Sequence, residues 1–338
     1  MSYYGGNSAD GGDRNPHMMV IEACQLADAD IDFKKFDQDG DGEVDNVFVF
    51  FAGRDEAEGG GDDCIWSHSW YIRDGAGRNL VLDGVRINRY ACSSELRLSA
   101  NNQPAMASIG TFCHEYAHTL GLPDLYDTDY QVGGLGAGTW RRVSLMDGGN
   151  YNNDGNTPPN FTAVDRDVLG LNAPQLLENA GNYTLKPIHD GQYFKIATKT
   201  PGEYFLLECR QSYGWDRFIG GQGMLIYHID KSMNNAGYSE VYQKDVAAAY
   251  RWEYSNEVNA LANHQCADLI EAIPGASNVR NVFYPVYGVT DMDEESFTSW
   301  SGEVGRFAIT GIRMEGENVV FNVIGGNEEV PPLPVSIG

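Results

Sequence analysis

A chain of 338 residues is long enough for two ordinary domains, each with a core of its own. Its 42% hydrophobic and 21% charged residues are those of a soluble globular protein, and 48 Asp plus Glu against 23 Lys plus Arg leave a net charge of -25. That excess repels phosphate backbones and anionic membrane surfaces, and no apolar run approaches the length of a membrane span, so nucleic acid and membrane insertion are set aside.

The opening Met1-Ser2-Tyr3-Tyr4-Gly5-Gly6 lacks the basic start and apolar stretch of a secretion signal and reads as the interior of a longer chain. Residues 15–36 have helical periodicity, with Met19, Ala23, Leu26 and Ala27 as the expected buried stripe. Asp37-Gln38-Asp39-Gly40-Asp41-Gly42-Glu43-Val44-Asp45 follows. Its acids at positions one, three, five and nine, with glycine at six, match the first part of a calcium loop in which Glu43 offers its backbone carbonyl. Position twelve is Phe48, so the chain should leave the loop as a core strand through Val47-Phe48-Val49-Phe50-Phe51. A structural calcium site on Asp37, Asp39, Asp41, Glu43 and Asp45 is expected, the bland alternative being a solvated acidic turn.

Residues 53–63 are glycine-rich and acidic and lack the Lys-Ser/Thr of a phosphate cradle, so they read as a surface loop. His68, close to Trp66 and Trp70, reads as a packed and hydrogen-bonded histidine. Residues 80–90 alternate around the turn signal Asp83-Gly84, and Ser108 is the expected cap of the next helix.

That helix carries Thr111-Phe112-Cys113-His114-Glu115-Tyr116-Ala117-His118-Thr119-Leu120-Gly121-Leu122-Pro123-Asp124. Ile109, Phe112, Tyr116 and Leu120 recur at helical spacing, and His114 and His118, four apart, project from one face as a two-point zinc clamp. Glu115 can take the proton of a water on the metal, which makes it the candidate general base. Catalytic zinc needs a third ligand from beyond the helix. Gly121 can take the left-handed conformation that ends a helix and Pro123 cannot continue one, so Asp124 can swing back, with Asp127 as fallback. The pattern is HExxHxxGxxD, an elongated zinc signature with aspartate in third place, and Ser144-Leu145-Met146-Asp147-Gly148-Gly149 could be the methionine turn that accompanies it.

Residues 125–138 read as loop, where Asp127 and Asp129 are weak candidates for a second calcium. Tyr151 is a candidate oxyanion stabiliser or, equally, a packing residue of its loop. Residues 161–171 read as the closing helix of the catalytic unit. From about 172 the texture changes to short alternating runs at 183–185, 193–196, 204–207, 224–229, 307–312 and 319–323, an all-β second domain of sandwich type. His228, Asp230, His264 and Asp268 permit a second metal site, although structural histidines are the favoured reading. The tail 327–338, with Pro331, Pro332 and Pro334, reads as a linker. The six cysteines show no CxxC spacing; Cys92 with Cys113 is a candidate disulfide, and buried free thiols are the alternative.

Together Asp37 through Asp45, Phe51-Ala52-Gly53, Ile65-Trp66-Ser67-His68, His114 through Asp127, Ser144 through Tyr151 and Gly223-Met224-Leu225-Ile226-Tyr227-His228-Ile229-Asp230 make the chain resemble the immune inhibitor A family of secreted bacterial zinc metallopeptidases. The resemblance implies a signal, a pro-segment and further catalytic-domain chain upstream, and a location outside the cell. It also places the tryptophan closer to the methionine turn than Trp140 stands to Met146, so that Arg141 and Arg142 look like an insertion.

The expected architecture is an α/β zincin of metzincin-like type over residues 1–172, a β-sandwich-like accessory domain over 173–326, and the tail. The expected function is a secreted, monomeric zinc endopeptidase acting on protein or peptide substrates: zinc on His114, His118 and Asp124, Glu115 as base, Tyr151 as the further catalytic candidate, and calcium in a structural role. The rival is a calcium-stabilised secreted adhesion module with an inert or structural zinc site, which would not require Glu115.

Overall fold

The computed structural model describes residues 3–8, 12–99, 101–130, 142–275 and 278–326. The expectations for Trp140, Arg141 and the tail 327–338 lie outside them. The chain separates into two compact units, Met1–Leu122 with Gly149–Pro158, and Pro123–Gly148 with Pro159–Gly338.

In the first unit α1 (Pro16–Ala27) begins with proline at its first position, where the missing N–H costs nothing. It buries Val20, Ile21 and Cys24, while Leu26 is 82% exposed, so the expected stripe is out of phase. The helix also ends earlier than its periodicity suggests, because Asp28, Asp30 and Asp32 are poorly placed at the negative end of a helix dipole; a single 3-10 turn, Phe33–Phe36, follows.

Strand β1 (Val47–Arg54) pairs in parallel with the long β5 (Arg89–Leu98), which also holds β2 (His68–Tyr71) antiparallel on its other side and β6 (Pro104–Met106) at its far end. The order β1-β5-β2 puts β1 at an edge of this sheet among the described residues; it gives Phe51 to the core and packs Val47 and Val49 against it, while Phe50 is 60% exposed. A short helix, α2 (Ile72–Ala76), leads to the hairpin of β3 (Leu80–Leu82) and β4 (Val85–Ile87), whose Asp83 and Gly84 both have positive φ, as a tight two-residue turn requires. Val20, Ile21, Phe33, Ile65, Ile72, Ile87 and Tyr90 fill the core between α1 and the strands. The helix α3 (Ile109–Leu120) packs on β5. All six cysteines are free; Cys92 lies on β5 with its Sγ 3.5 Å from Nδ1 of His68, so no disulfide joins it to Cys113 on α3.

The second unit is β-rich. Its α4 (Ala163–Leu169) is capped by a reciprocal pair in which Thr162 and Asp165 satisfy each other's backbone N–H groups. A five-stranded sheet runs in the order β14 (Ala267–Leu269), β11 (Gly223–Asp230), β10 (Glu203–Arg210), β9 (Phe194–Ala197), β7 (Gln175–Leu176). A three-stranded sheet is formed by β15 (Phe307–Glu315), β16 (Asn318–Gly325) and β8 (Gly181–Leu185), and a separate hairpin by β12 (Asn235–Ser239) and β13 (Lys244–Ala247). Leu185, Ile196, Phe205, Ile226, Ile309 and Phe321 bring both larger sheets to one apolar core. Every residue of β10 and β11 is buried, and the six alternating runs read in the sequence fall on strands, apart from Tyr193, which precedes β9.

Candidate metal centre

Helix α3 reverses the usual order of an amphipathic helix. Its buried residues are Gly110, His114, Glu115, Ala117 and Thr119, whereas Ile109, Tyr116 and Leu120 are 45%, 38% and 46% exposed. Removing an imidazole and a carboxylate from water is costly unless they are given partners, so the buried His114 and Glu115 make this face a candidate site. Ser108 stands at the N-cap as expected, but its side chain makes no capping bond. What seats the helix start is Gly110: a Cβ there would lie 1.8 Å from the carbonyl oxygen of Asn150.

The helix ends on Gly121, at φ 109°, and the chain reverses so that the Leu122 carbonyl accepts a 2.7 Å bond from Nδ1–H of His118. A carbonyl can only accept, which fixes the tautomer and leaves the lone pair of His118 on Nε2. That atom is 3.2 Å from Nε2 of His114. Two nitrogens bound to one tetrahedral zinc at its usual bond length stand about 3.3 Å apart, so this donor set fits the metal. The ligand atoms of His114, His118 and Asp124 all lie within 4.8 Å of one another.

Asp124 is 5% exposed and held from a distant part of the chain. Its backbone N–H donates to Oδ1 of Asn256 at 2.7 Å, and Nδ2 of Asn256 donates to Oδ2 of Asp124 at 2.7 Å. Asn259 donates to the Leu125 carbonyl at 2.8 Å, and Thr128 Oγ1 to the Asn256 carbonyl at 2.9 Å. Neither asparagine was singled out in the sequence; Asn256 lies 132 residues from its partner and carries no local signal. Met146, the residue of the expected methionine turn, is fully buried; its N–H donates to Ser144 Oγ at 3.0 Å, and its carbonyl accepts from the Leu125 N–H at 2.8 Å.

Asp127, the fallback ligand, is outside the trio. Its Oδ1 accepts the N–H groups of Asp129 and Tyr130, each at 3.2 Å, and so shapes a turn. Glu115 is 7% exposed beside His114. Tyr151 closes the 3-10 turn Gly148–Tyr151 and is 57% exposed; loss of water and then the Glu58 carboxylate push its phenol above the ordinary value, and Glu115 adds to the shift.

Among the described residues one further group has metal spacing, Asp37 with Asp39 and Asp41. Asp37 accepts the N–H groups of Gly40 and Gly42 at 2.9 and 3.1 Å, Asp39 that of Asp41 at 3.1 Å and Asp41 that of Glu43 at 2.7 Å, which curls the loop around its carboxylates. The Glu43 side chain turns away to Arg86, and Asp45 accepts from the Gln38 N–H at 3.3 Å, outside the trio.

Two more histidine expectations resolve as structural. His68 lies between the Trp66 carbonyl (2.6 Å) and the Tyr90 hydroxyl (2.8 Å). His228 pairs with Glu203 and His264 with Asp230, both at 2.8 Å, and the ring of Trp300 stacks on both imidazoles. Burial pushes the Asp230 carboxyl up, but hydrogen bonds from His264 and Ser232 outweigh it and hold the group below its ordinary value.

A model of the immune inhibitor A peptidase M6 catalytic domain matches residues 1–173. Immune inhibitor A of Bacillus thuringiensis subsp. alesti is 31% identical over 190 residues, which are 49% of this chain and 27% of that protein. The pre-pro-metalloprotease PrtV of Vibrio cholerae serotype O1 (strain M66-2) is 36% identical over 173 residues, 44% of this chain and 18% of that protein. The aligned part is thus less than a third of the length of either relative.

Proposed function

We propose that this chain, which belongs to the immune inhibitor A peptidase M6 family, is a secreted zinc-dependent endopeptidase that cleaves protein or peptide substrates. The observation that carries the reading is the pair of Nε2 atoms 3.2 Å apart on one face of α3, with Asp124 closing the trio. Zinc, when bound there, polarises a scissile carbonyl and makes water easier to deprotonate. The protein's own part begins with Glu115, whose carboxylate takes the proton of the attacking water and returns it to the leaving amine. His118 is oriented by the Leu122 carbonyl, so its Nε2 is aimed before any ligand arrives. Tyr151 is proposed to donate to the oxyanion, as a phenol that is protonated at neutral pH.

The finer architecture belongs to the same reading. Residues 1–172 act as a metzincin-like zincin with Met146 in its methionine turn, 173–326 as a sandwich-like accessory domain and 327–338 as a linker. Asp37, Asp39, Asp41, Asp45 and the Glu43 carbonyl hold a structural calcium. The protein works as a monomer, and no helix among the described residues is long and apolar enough to cross a membrane.

The test is zinc content by elemental analysis in wild type and Glu115→Ala, with both assayed on unfolded casein with and without a chelator. Zinc in both, with chelator-sensitive cleavage by the wild type alone, is expected. Absence of zinc from the wild type would overturn the assignment.

A further inference from the structure

We propose that Asn256 is a positioning residue for the metal centre, holding the Asp124 carboxylate in the one orientation in which it can complete the ligand set. The inference rests on the zinc reading above and extends it to a residue far outside the stretch matched by the catalytic-domain model, residues 1–173.

An aspartate carboxylate turns about two side-chain torsions, and a ligand that must be frozen on binding costs affinity. Here the carboxamide of Asn256 makes two bonds of 2.7 Å to the same residue: Oδ1 takes the Asp124 N–H and Nδ2 gives to Asp124 Oδ2. The first anchors the Asp124 backbone and the second holds one carboxylate oxygen, which together narrow the torsions open to the side chain. A neutral donor also leaves the carboxylate its charge, which a lysine in that place would offset.

Asn256 is itself well placed. It caps the turn Arg251–Ser255 in the left-handed conformation at φ 54° and ψ 38°, its N–H bonded to the Arg251 carbonyl. Arg251 is fully buried and donates to the carbonyls of Glu257 and Tyr238. Asparagine suits the position twice over, since it tolerates the left-handed region and carries both a donor and an acceptor.

The same conformation supplies a clean variant. Glycine adopts φ 54° without strain, so Asn256→Gly removes the carboxamide and leaves the turn intact. The comparison is Asn259→Ala, which removes bonds to the Leu125 and Ala267 carbonyls but none to Asp124. Zinc affinity of the full chain is measured by competition with a chromophoric chelator, and ligand geometry from the visible absorption of the cobalt-substituted protein. Melting of the metal-free protein is recorded for each variant. Asn256→Gly is expected to weaken zinc binding tenfold to a hundredfold and to change the cobalt bands, with Asn259→Ala within threefold of wild type. Zinc affinity within threefold of wild type and an unchanged cobalt spectrum in Asn256→Gly would overturn the inference. Equal loosening in Asn259→Ala would overturn it as well, by showing the two asparagines to be general struts. A wild type that takes up no zinc would instead overturn the metal-site reading, and this inference with it.

Discussion

His118 and Leu122 are joined across the end of the zinc helix by a 2.7 Å bond from imidazole to carbonyl, and the chain can turn back to make it only because Gly121 stands between them at φ 109°. The helix terminator thereby sets the orientation of the His118 imidazole. Gly121→Ala places a Cβ in a left-handed backbone, which costs about 1–2 kcal/mol and strains the reversal that brings up Leu122. We expect a lower melting temperature and a larger loss of zinc affinity than that destabilisation alone would give, measured by calorimetry and chelator competition.

A second glycine sets the other end of the helix. A methyl group on Gly110 would meet the Asn150 carbonyl at 1.8 Å, and backbone cannot step aside as a side chain can. Gly110→Ala is expected to cost about 3 kcal/mol or more, read from urea denaturation midpoints.

Calcium should matter for stability and not for chemistry. With Asp37, Asp39 and Asp41 within ligand distance of each other, the cation-free loop carries unrelieved repulsion. Calcium at a hundredfold excess over its dissociation constant should stabilise the protein by about 2.7 kcal/mol. Calorimetry in calcium and in a calcium-selective chelator, on wild type and Asp39→Asn, measures this; identical melting of the wild type in both would remove the calcium site.

Burial pushes the carboxyl of Asp165 up to about 6 from an ordinary 3.8, and Glu208 adds to the shift. The folded state therefore holds this proton more tightly than the unfolded chain, and raising the pH from about 4 to about 6 removes stability, on the order of 3 kcal/mol. Asp165→Asn keeps an oxygen for Thr162 and cannot ionise, so the dependence over that range should flatten. Denaturation midpoints at pH 4 and pH 7 compare the two proteins.

The parts of the site that lie close together in sequence were readable there. His114, Glu115, His118, Gly121 and Asp124 fall within eleven residues, where helical spacing and a glycine stop decide the geometry. The cluster of Asp37, Asp39 and Asp41 is equally local. Strands from 183 onward showed themselves as short apolar runs bounded by turn residues, with β10 and β11 buried along their whole length. The phase of α1 did not, since apolar Leu26 is left in solvent while Cys24 is buried. Nor did the edge position of β1, because pairing partners are chosen by β5 forty residues on. The hairpin β12–β13 was missed for lack of alternation in Asn235-Ala236-Gly237-Tyr238-Ser239. Asn256 and Asn259 were beyond reach for the same reason that makes them informative: what they hold lies more than a hundred residues away.

The hold of Asn256 on Asp124 also bears on how such chains can be recombined. A chimera joined near residue 173, keeping this chain's helix α3 and importing another protein's C-terminal half, would keep Asp124 and lose the Asn256 carboxamide that holds it. The two positions should therefore be exchanged as a pair, and the natural seam for grafting is not where the catalytic-domain match ends.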